Sequence, residues 1–180
     1  MNTSEQYVPG AASGAKVRKD GEKWTLVLER DLKQPPPQVW TALTDPTHLR
    51  EWAPYDSDRS LATAGVAKLT TVGAPAPQVS ETYVKRADAP KVLEFHWGGQ
   101  DIRWELEPTE SGGTRLTLWH SIDRNYISMG AAGWHICFDV LQRHLDGEPI
   151  GRMAGMSLMK HGGWQRLNDE YAKLFGAEIL

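Results

Sequence analysis

The chain has 180 residues, of which 40% are hydrophobic, and its formal net charge is −3 at pH 7. A chain of this length can bury a full hydrophobic core, so a single domain is expected. Acidic and basic residues are interspersed, which leaves no basic patch for nucleic acid, and no apolar run approaches the ~18 residues that a membrane span requires. We therefore expect neither a nucleic-acid partner nor membrane insertion.

The N-terminal residues and the cysteine content indicate the cellular setting. Residues 1–22 lack the apolar region of a secretory signal and are rich in small and charged residues, which predicts a flexible tail. The single cysteine, Cys137, forms no internal disulfide and is expected to be a buried, unreactive thiol. The expectation is a cytoplasmic protein with a tail at 1–22 and one domain at 23–176.

The first predicted elements are a strand and two short helices. Residues 24–32 alternate apolar and polar side chains, which predicts a strand with one buried face. The prolines at 35–37 end it and open a helix, and Asp45 followed by Pro46 begins a second helix that Pro54 ends. The second helix lacks the basic face of a DNA-reading helix, so DNA binding is not indicated.

From residue 57 onward the chain shows short strand-like runs separated by glycine, proline and aspartate clusters. Connectors of this length predict an antiparallel meander within one sheet, with sequential strands as neighbours. The runs are 66–72, 79–86, 92–97, 102–107 and 114–122. In the last three, alternation places one apolar set on a single face: Leu93, Phe95, Trp97, Ile102, Trp104, Leu106, Leu116, Leu118 and, among them, His120.

A long amphipathic helix follows the meander. Apolar side chains recur at spacings of four and three from Ile127 to Leu145, so this helix needs an apolar surface, which the sheet supplies. Asp139 and Arg143 are four residues apart and lie outside the apolar face of this helix, so they are expected to form a solvent-facing ion pair. Residues 148–162 show no clear period and receive no assignment, whereas 163–175 predict a terminal helix.

Several stretches resemble the Hsp90 ATPase activator homologue family of the START-like, or helix-grip (SRPBCC), superfamily. They are VWTALTDPTHLREW at 39–52, VLEFHW at 92–97, IRWELEP at 102–108, GTRLTLWH at 113–120, Gly133 with Trp134, and residues 141–149. The resemblance implies an α+β fold in which a curved antiparallel sheet grips a long C-terminal helix. It also implies an apolar cavity between them, in a superfamily of lipid carriers, hormone receptors, and polyketide aromatases and cyclases.

The candidate ligand site follows from the predicted apolar face and the long helix over it. Large aromatics with few polar groups are typical of small-molecule cavities. His120 has two interpretations, a hydrogen-bonded structural histidine or a polar group that contacts a ligand. The candidate ligand-binding residues are Phe95, Trp97, Trp104, Leu118, His120, Trp134 and Phe138.

Three classes of function remain open. A small-molecule binding protein needs only the cavity, and its partner would be an apolar or aromatic molecule. An aromatase or cyclase would also need a polar pair, for which His120 with Tyr83, His135 or Asp139 are the candidates. A cochaperone-like protein would bind a chaperone through its outer surface. The six histidines show no metal-ligand spacing and no nucleotide-binding glycine motif is present, so no catalytic residue, metal or cofactor is assigned.

Overall fold

The computed structural model describes residues 6–76 and 78–179, so residues 1–5 of the predicted tail lie outside the described part. The helices are α1 (Pro36–Thr44), α2 (Pro46–Trp52), α3 (Ile127–Leu145), α4 (Gly155–Lys160) and α5 (Gly162–Ile179), with a 3-10 turn at Arg124–Tyr126. The strands are β1 (Ala15–Asp20), β2 (Lys23–Leu32), β3 (Tyr55–Ser57), β4 (Gly65–Thr71), β5 (Gln78–Val84), β6 (Arg86–Asp88), β7 (Val92–Trp97), β8 (Gln100–Pro108) and β9 (Thr114–Ser121).

The main sheet has six antiparallel strands in the order β1-β2-β9-β8-β7-β6. Leu118 of β9 lies opposite Leu28 on one side and Trp104 on the other, so the predicted apolar residues share one face. All three are buried, and α3 packs across this face. The α+β class and the sheet gripping a long helix are confirmed.

The prediction of a single sheet is wrong, because β3, β4 and β5 form a separate sheet in that order. The interruption lies where β5 meets β7. There the His96 backbone N–H donates to the Thr82 hydroxyl at 2.9 Å, while the Lys85 N–H still donates to the Glu94 carbonyl at 2.9 Å. A side-chain oxygen has replaced a backbone partner, and this breaks the regular ladder between the sheets.

Helix α3 begins and ends at the predicted residues, but the predicted Asp139–Arg143 surface pair is wrong. The Asp139 carboxylate instead accepts from the Arg30 guanidinium at 2.5 Å and from the Tyr7 hydroxyl. Arg30 projects from the face of β2 that α3 covers. Asp139 therefore pairs with Arg30 on a distant strand and not with Arg143 on its own helix.

The prediction of a flexible tail is wrong for residues 6–20. β1 pairs with β2 along its whole length, and residues 7–14, which we call the strap, cross α3 and α5. Tyr7 is only 8% exposed, the Ala12 N–H donates to Glu170 at 3.1 Å, and the Ser13 carbonyl accepts from the Tyr171 hydroxyl at 3.1 Å. Tyr7 also joins the hydrophobic core, and Ala12 packs against it. These contacts are with residues far along the chain, so the composition of the strap alone did not indicate them.

The unassigned residues 148–162 contain α4, which docks on the loop between β4 and β5. The Met156 N–H donates to the Gly73 carbonyl at 3.2 Å. Gly155 has φ +57°, and a Cβ there would stand 2.5 Å from the Gly73 oxygen, so this contact requires glycine. α5 is longer than predicted, and its Trp164, Leu167 and Tyr171 are buried as its periodicity indicated.

Candidate functional site

A cavity of about 300 Å³ lies between the end of the main sheet, the first half of α3, and α4. This volume is at the lower end of the range for small-molecule sites. Tyr126 and Met159, each about half exposed, stand at its mouth. The lining consists of Pro54, Trp97, Gln100, His120, Ile122, Tyr126, Met129, Gly130, Gly133, Trp134, Cys137, Ala154, Gly155, Leu158, Met159 and Trp164.

The hairpin between β7 and β8 sets one wall of the cavity. Gly98 and Gly99 both have positive φ, at +58° and +80°, as a two-residue type I′ turn requires. This turn pairs Trp97 with Gln100, and directly opposed residues in an antiparallel pair project from the same face. The turn thereby brings both side chains to the cavity.

His120 is a buried histidine with both ring nitrogens occupied. The Trp134 indole N–H donates to its Nδ1 at 2.9 Å, and its Nε2 lies 2.7 Å from the Gln100 side-chain oxygen. Burial lowers the pKa of His120 to about 4, because the charged imidazolium loses its hydration. His120 is therefore neutral near pH 7, and the geometry favours its structural interpretation over direct hydrogen bonding to a ligand.

The rest of the lining is also uncharged. No Asp, Glu, Lys or Arg is among the described residues around the cavity. Burial raises the pKa of the Cys137 thiol to about 12, so this cysteine remains protonated and a poor nucleophile. The Trp97 indole N–H donates to the Thr71 hydroxyl at 3.0 Å. The cavity thus presents aromatic and aliphatic surface with very few unused polar groups.

Two glycines within α3 make room for the cavity. Gly130 and Gly133 both line it, although glycine in a helix interior costs about 1 kcal/mol relative to alanine. A Cβ at Gly133 would meet only the Leu158 side chain, at 4.0 Å, whereas one at Gly130 would stand 2.8 Å from Ile122. A side chain longer than alanine at Gly133 would extend into the space that the cavity occupies.

Of the seven predicted site residues, the structure places Trp97, His120 and Trp134 at the cavity. The other four do not line it, because an aromatic cluster fills the centre of the predicted site. The Trp104 ring lies 5.9 Å from that of Trp52, 5.6 Å from that of Trp134 and 5.8 Å from that of Phe138, measured between ring centroids. The four buried in this packed core are Phe95, Trp104, Leu118 and Phe138.

Sequence reasoning missed Gln100, the α3 glycines and the walls from α4 and α5. Gln100 lies between the predicted strand runs 92–97 and 102–107, and in the sequence only the Gly98-Gly99 pair indicates a two-residue turn that would pair Gln100 with Trp97. The α4 wall lies in the unassigned stretch. Both His120 nitrogens are paired with residues far away in the chain, and the spacing of residues in the sequence does not predict these hydrogen bonds.

The polar pair that an enzyme would need is not assembled at the cavity. Tyr83 is 54% exposed on β5, away from the lining. His135 and Asp139 lie on another face of α3, where the His135 Nδ1 is 2.6 Å from the Tyr171 hydroxyl and Asp139 pairs with Arg30. None of the three candidate partners lines the cavity with His120.

Neither a metal-binding cluster nor a membrane-spanning helix is found in the part of the chain that the structure describes. Within 6–76 and 78–179, no group of three or more histidine, cysteine, aspartate or glutamate side chains is placed to hold a metal ion. In the same residues, none of the helices has the length and apolar character needed to cross a membrane.

A curved antiparallel sheet that packs around a long C-terminal helix, with a cavity between them, is the helix-grip fold. The chain belongs to the family of Activator of Hsp90 ATPase homolog 1-like proteins, whose family model matches residues 33–176. The resemblance noted in the sequence is thereby confirmed. No curated protein matches the chain at a significant level.

Solved structures share the fold at low sequence identity. A conserved protein of unknown function from Enterococcus faecalis superposes with a TM-score of 0.71 at 15% identity, covering 91% of each chain. CalU16 from Micromonospora echinospora gives 0.64 at 19% identity, covering 92% of this chain and 94% of its own. A protein from Mesorhizobium loti gives 0.57 at 25% identity, covering 68% of this chain and 97% of its own. These likenesses show the fold.

Proposed function

We propose that this protein binds a neutral apolar or aromatic small molecule in the cavity beside α3. The observation that carries the proposal is the uncharged lining around about 300 Å³, with Trp97, Trp134 and Trp164 among its walls. Burying apolar ligand surface there is favourable by roughly 25 cal/mol per Å². The interior glycines of α3 support the same function, since they keep open a space that larger side chains would fill.

The experiment is a titration with fluorene, a rigid three-ring hydrocarbon, followed by tryptophan fluorescence and melting temperature. Binding should change the emission because indoles at the cavity exchange water for ligand, and it should raise the melting temperature because only the folded chain binds. Native mass spectrometry of the freshly purified protein identifies any molecule that copurifies.

The matched pair of variants is Gly133→Leu and Gly176→Leu. Both place leucine at a helical glycine, but Gly133 lines the cavity, whereas a Cβ at Gly176 meets nothing within 4 Å. Gly133→Leu should weaken fluorene binding at least tenfold, while Gly176→Leu should leave it unchanged. Equal affinity in the two variants, or no fluorene binding by the unmodified protein, would overturn the proposal.

A second candidate is interaction with a chaperone of the Hsp90 class, and family membership supports it. This function would use the outer surface and would not require the cavity. It is tested by adding the purified protein to such a chaperone and measuring its ATPase rate. A stimulation that Gly133→Leu retains would assign the chaperone contact to a surface separate from the cavity.

An aromatase or cyclase reaction has less support. Such chemistry needs a general acid or base beside the ligand, and both nitrogens of His120 are already paired within the protein. Cavity binding without turnover is therefore the function that the geometry supports best.

A further inference from the structure

The hydrogen bonds from Trp134 to His120 to Gln100 run in one direction. An indole nitrogen only donates, so the His120 Nδ1 that it contacts at 2.9 Å must accept. A neutral imidazole that accepts at Nδ1 carries its proton on Nε2. That Nε2–H must then donate to the group 2.7 Å away, which is the Gln100 oxygen. Trp134 thereby fixes both the His120 tautomer and the orientation of the Gln100 amide.

This orientation leaves the Gln100 amide nitrogen as an unused donor. Its two N–H groups form no hydrogen bond with the described residues, whereas its oxygen is paired with His120. Gln100 lines the cavity and is only half-buried. In the reverse orientation the amide N–H groups would face the His120 Nε2–H. The amide therefore cannot flip without breaking its hydrogen bond to His120.

The charge state of the lining limits the ligand further. His120 is neutral, Cys137 is protonated, and the described lining contains no Asp, Glu, Lys or Arg. A carboxylate or phosphate entering the cavity would lose its hydration without gaining a cation as partner, which is strongly unfavourable. A carbonyl loses far less hydration and gains the donor that Gln100 offers.

We propose that the ligand is a neutral aromatic molecule bearing a carbonyl, with a ketone as the simplest case, and that the Gln100 amide N–H donates to that carbonyl. The inference rests on the proposed binding function and adds the chemical class of the ligand. Trp97 and Trp134 flank the aromatic part, while His120 acts as a positioning residue that holds the Gln100 amide.

The experiment compares fluorene with 9-fluorenone, which has the same three-ring frame and one added carbonyl. A hydrogen bond of ordinary strength predicts that fluorenone binds about five to tenfold more tightly than fluorene. The carboxylate 9-fluorenone-4-carboxylate should bind at least tenfold more weakly than fluorenone. Affinities come from titration calorimetry at constant pH and salt.

Two variants of Gln100 test the donor. Gln100→Met removes both polar groups, and Gln100→Glu keeps an oxygen that accepts from His120 but has no N–H to donate. In both variants the ratio of fluorenone affinity to fluorene affinity should fall to about one or below. The ratio is taken within each variant, so a general change in cavity affinity does not affect it. Melting temperatures confirm that the variants fold, and Gln100→Glu retains the His120 partner if Gln100→Met is unstable.

The outcomes separate the two proposals. If fluorene binds and Gly133→Leu blocks it, but fluorenone shows no advantage, the ligand class is wrong and the binding function stands. If both Gln100 variants keep the preference for fluorenone, the donor assignment is overturned. If neither molecule binds the unmodified protein, the binding function itself fails.

Discussion

At the scale of single residues, His120 shows how a buried polar side chain is made acceptable in an apolar site. An unpaired imidazole would cost a few kcal/mol when buried, yet both nitrogens are paired within the protein. This pairing requires the neutral ring, because a protonated Nδ1 would face the Trp134 N–H. The histidine therefore couples the stability of the fold to pH.

We predict that the free energy of unfolding falls as the pH is lowered from about 6.5 to about 4. Across that window the unfolded chain binds a proton on His120 that the folded chain does not, since the folded pKa is lowered to about 4 from 6.5. Acidification therefore favours unfolding, by about 3 kcal/mol from this residue alone. Burial also lowers the pKa of His135 and of His144, so these two histidines likewise make the free energy of unfolding fall as the pH is lowered.

The measurement is urea unfolding at a series of pH values for the unmodified protein and for His120→Gln. Glutamine can accept from Trp134 but does not titrate, so the variant should show a clearly shallower dependence between pH 6.5 and pH 4. An identical pH dependence in the two proteins would show that His120 does not control it.

At the scale of secondary structure, patterns with a short period were predicted well. α3 and β7 have the predicted bounds, because a helix or strand with one buried face repeats its apolar residues at the period of its own backbone. The strap, α4 and the Asp139 ion pair were missed. Each depends on hydrogen bonds between residues far apart in the chain, and a local pattern carries no information about them.

The strap gives a prediction at this scale. Tyr7→Phe removes the hydrogen bond to the Asp139 carboxylate but keeps the ring, so it should lower the free energy of unfolding by about 1 to 2 kcal/mol. Val8→Ala is the neighbouring control, because Val8 is 79% exposed, and it should change stability very little. Both are measured by urea unfolding. A Tyr7→Phe variant as stable as the unmodified protein would mean that the strap is not docked in solution.

At the scale of the whole molecule, one hydrophobic cluster extends from Tyr7 to Phe175 and includes residues of both sheets and of the helices. The resemblance implied the fold class correctly, and alternation placed the right residues on the apolar face. The position of the cavity was not predictable, because whether large side chains fill a space or surround it depends on their packing in three dimensions. Trp104 fills the centre, and the cavity lies to one side.

The shared core leads us to propose that residues 6–176 unfold as one cooperative unit. Loss of tryptophan fluorescence and of far-UV circular dichroism should therefore occur at the same urea concentration. The small β3-β4-β5 sheet is the part whose separate unfolding would contradict this, since Tyr55 and Leu69 belong to the common cluster. Two distinct midpoints would divide the chain into more than one unit.

The α3 glycines also bear on how such a protein can diversify. The sheet hairpin contributes Trp97 and Gln100 to the cavity wall, while the helix contributes Gly133, where a Cβ would meet only the Leu158 side chain. If the protein binds a ligand as proposed, selectivity for size and selectivity for functional groups would be determined by different secondary structures. In that case a larger side chain at position 133 would restrict the ligand to smaller molecules while the hairpin stays the same, so a single substitution would be enough to change ligand size between relatives.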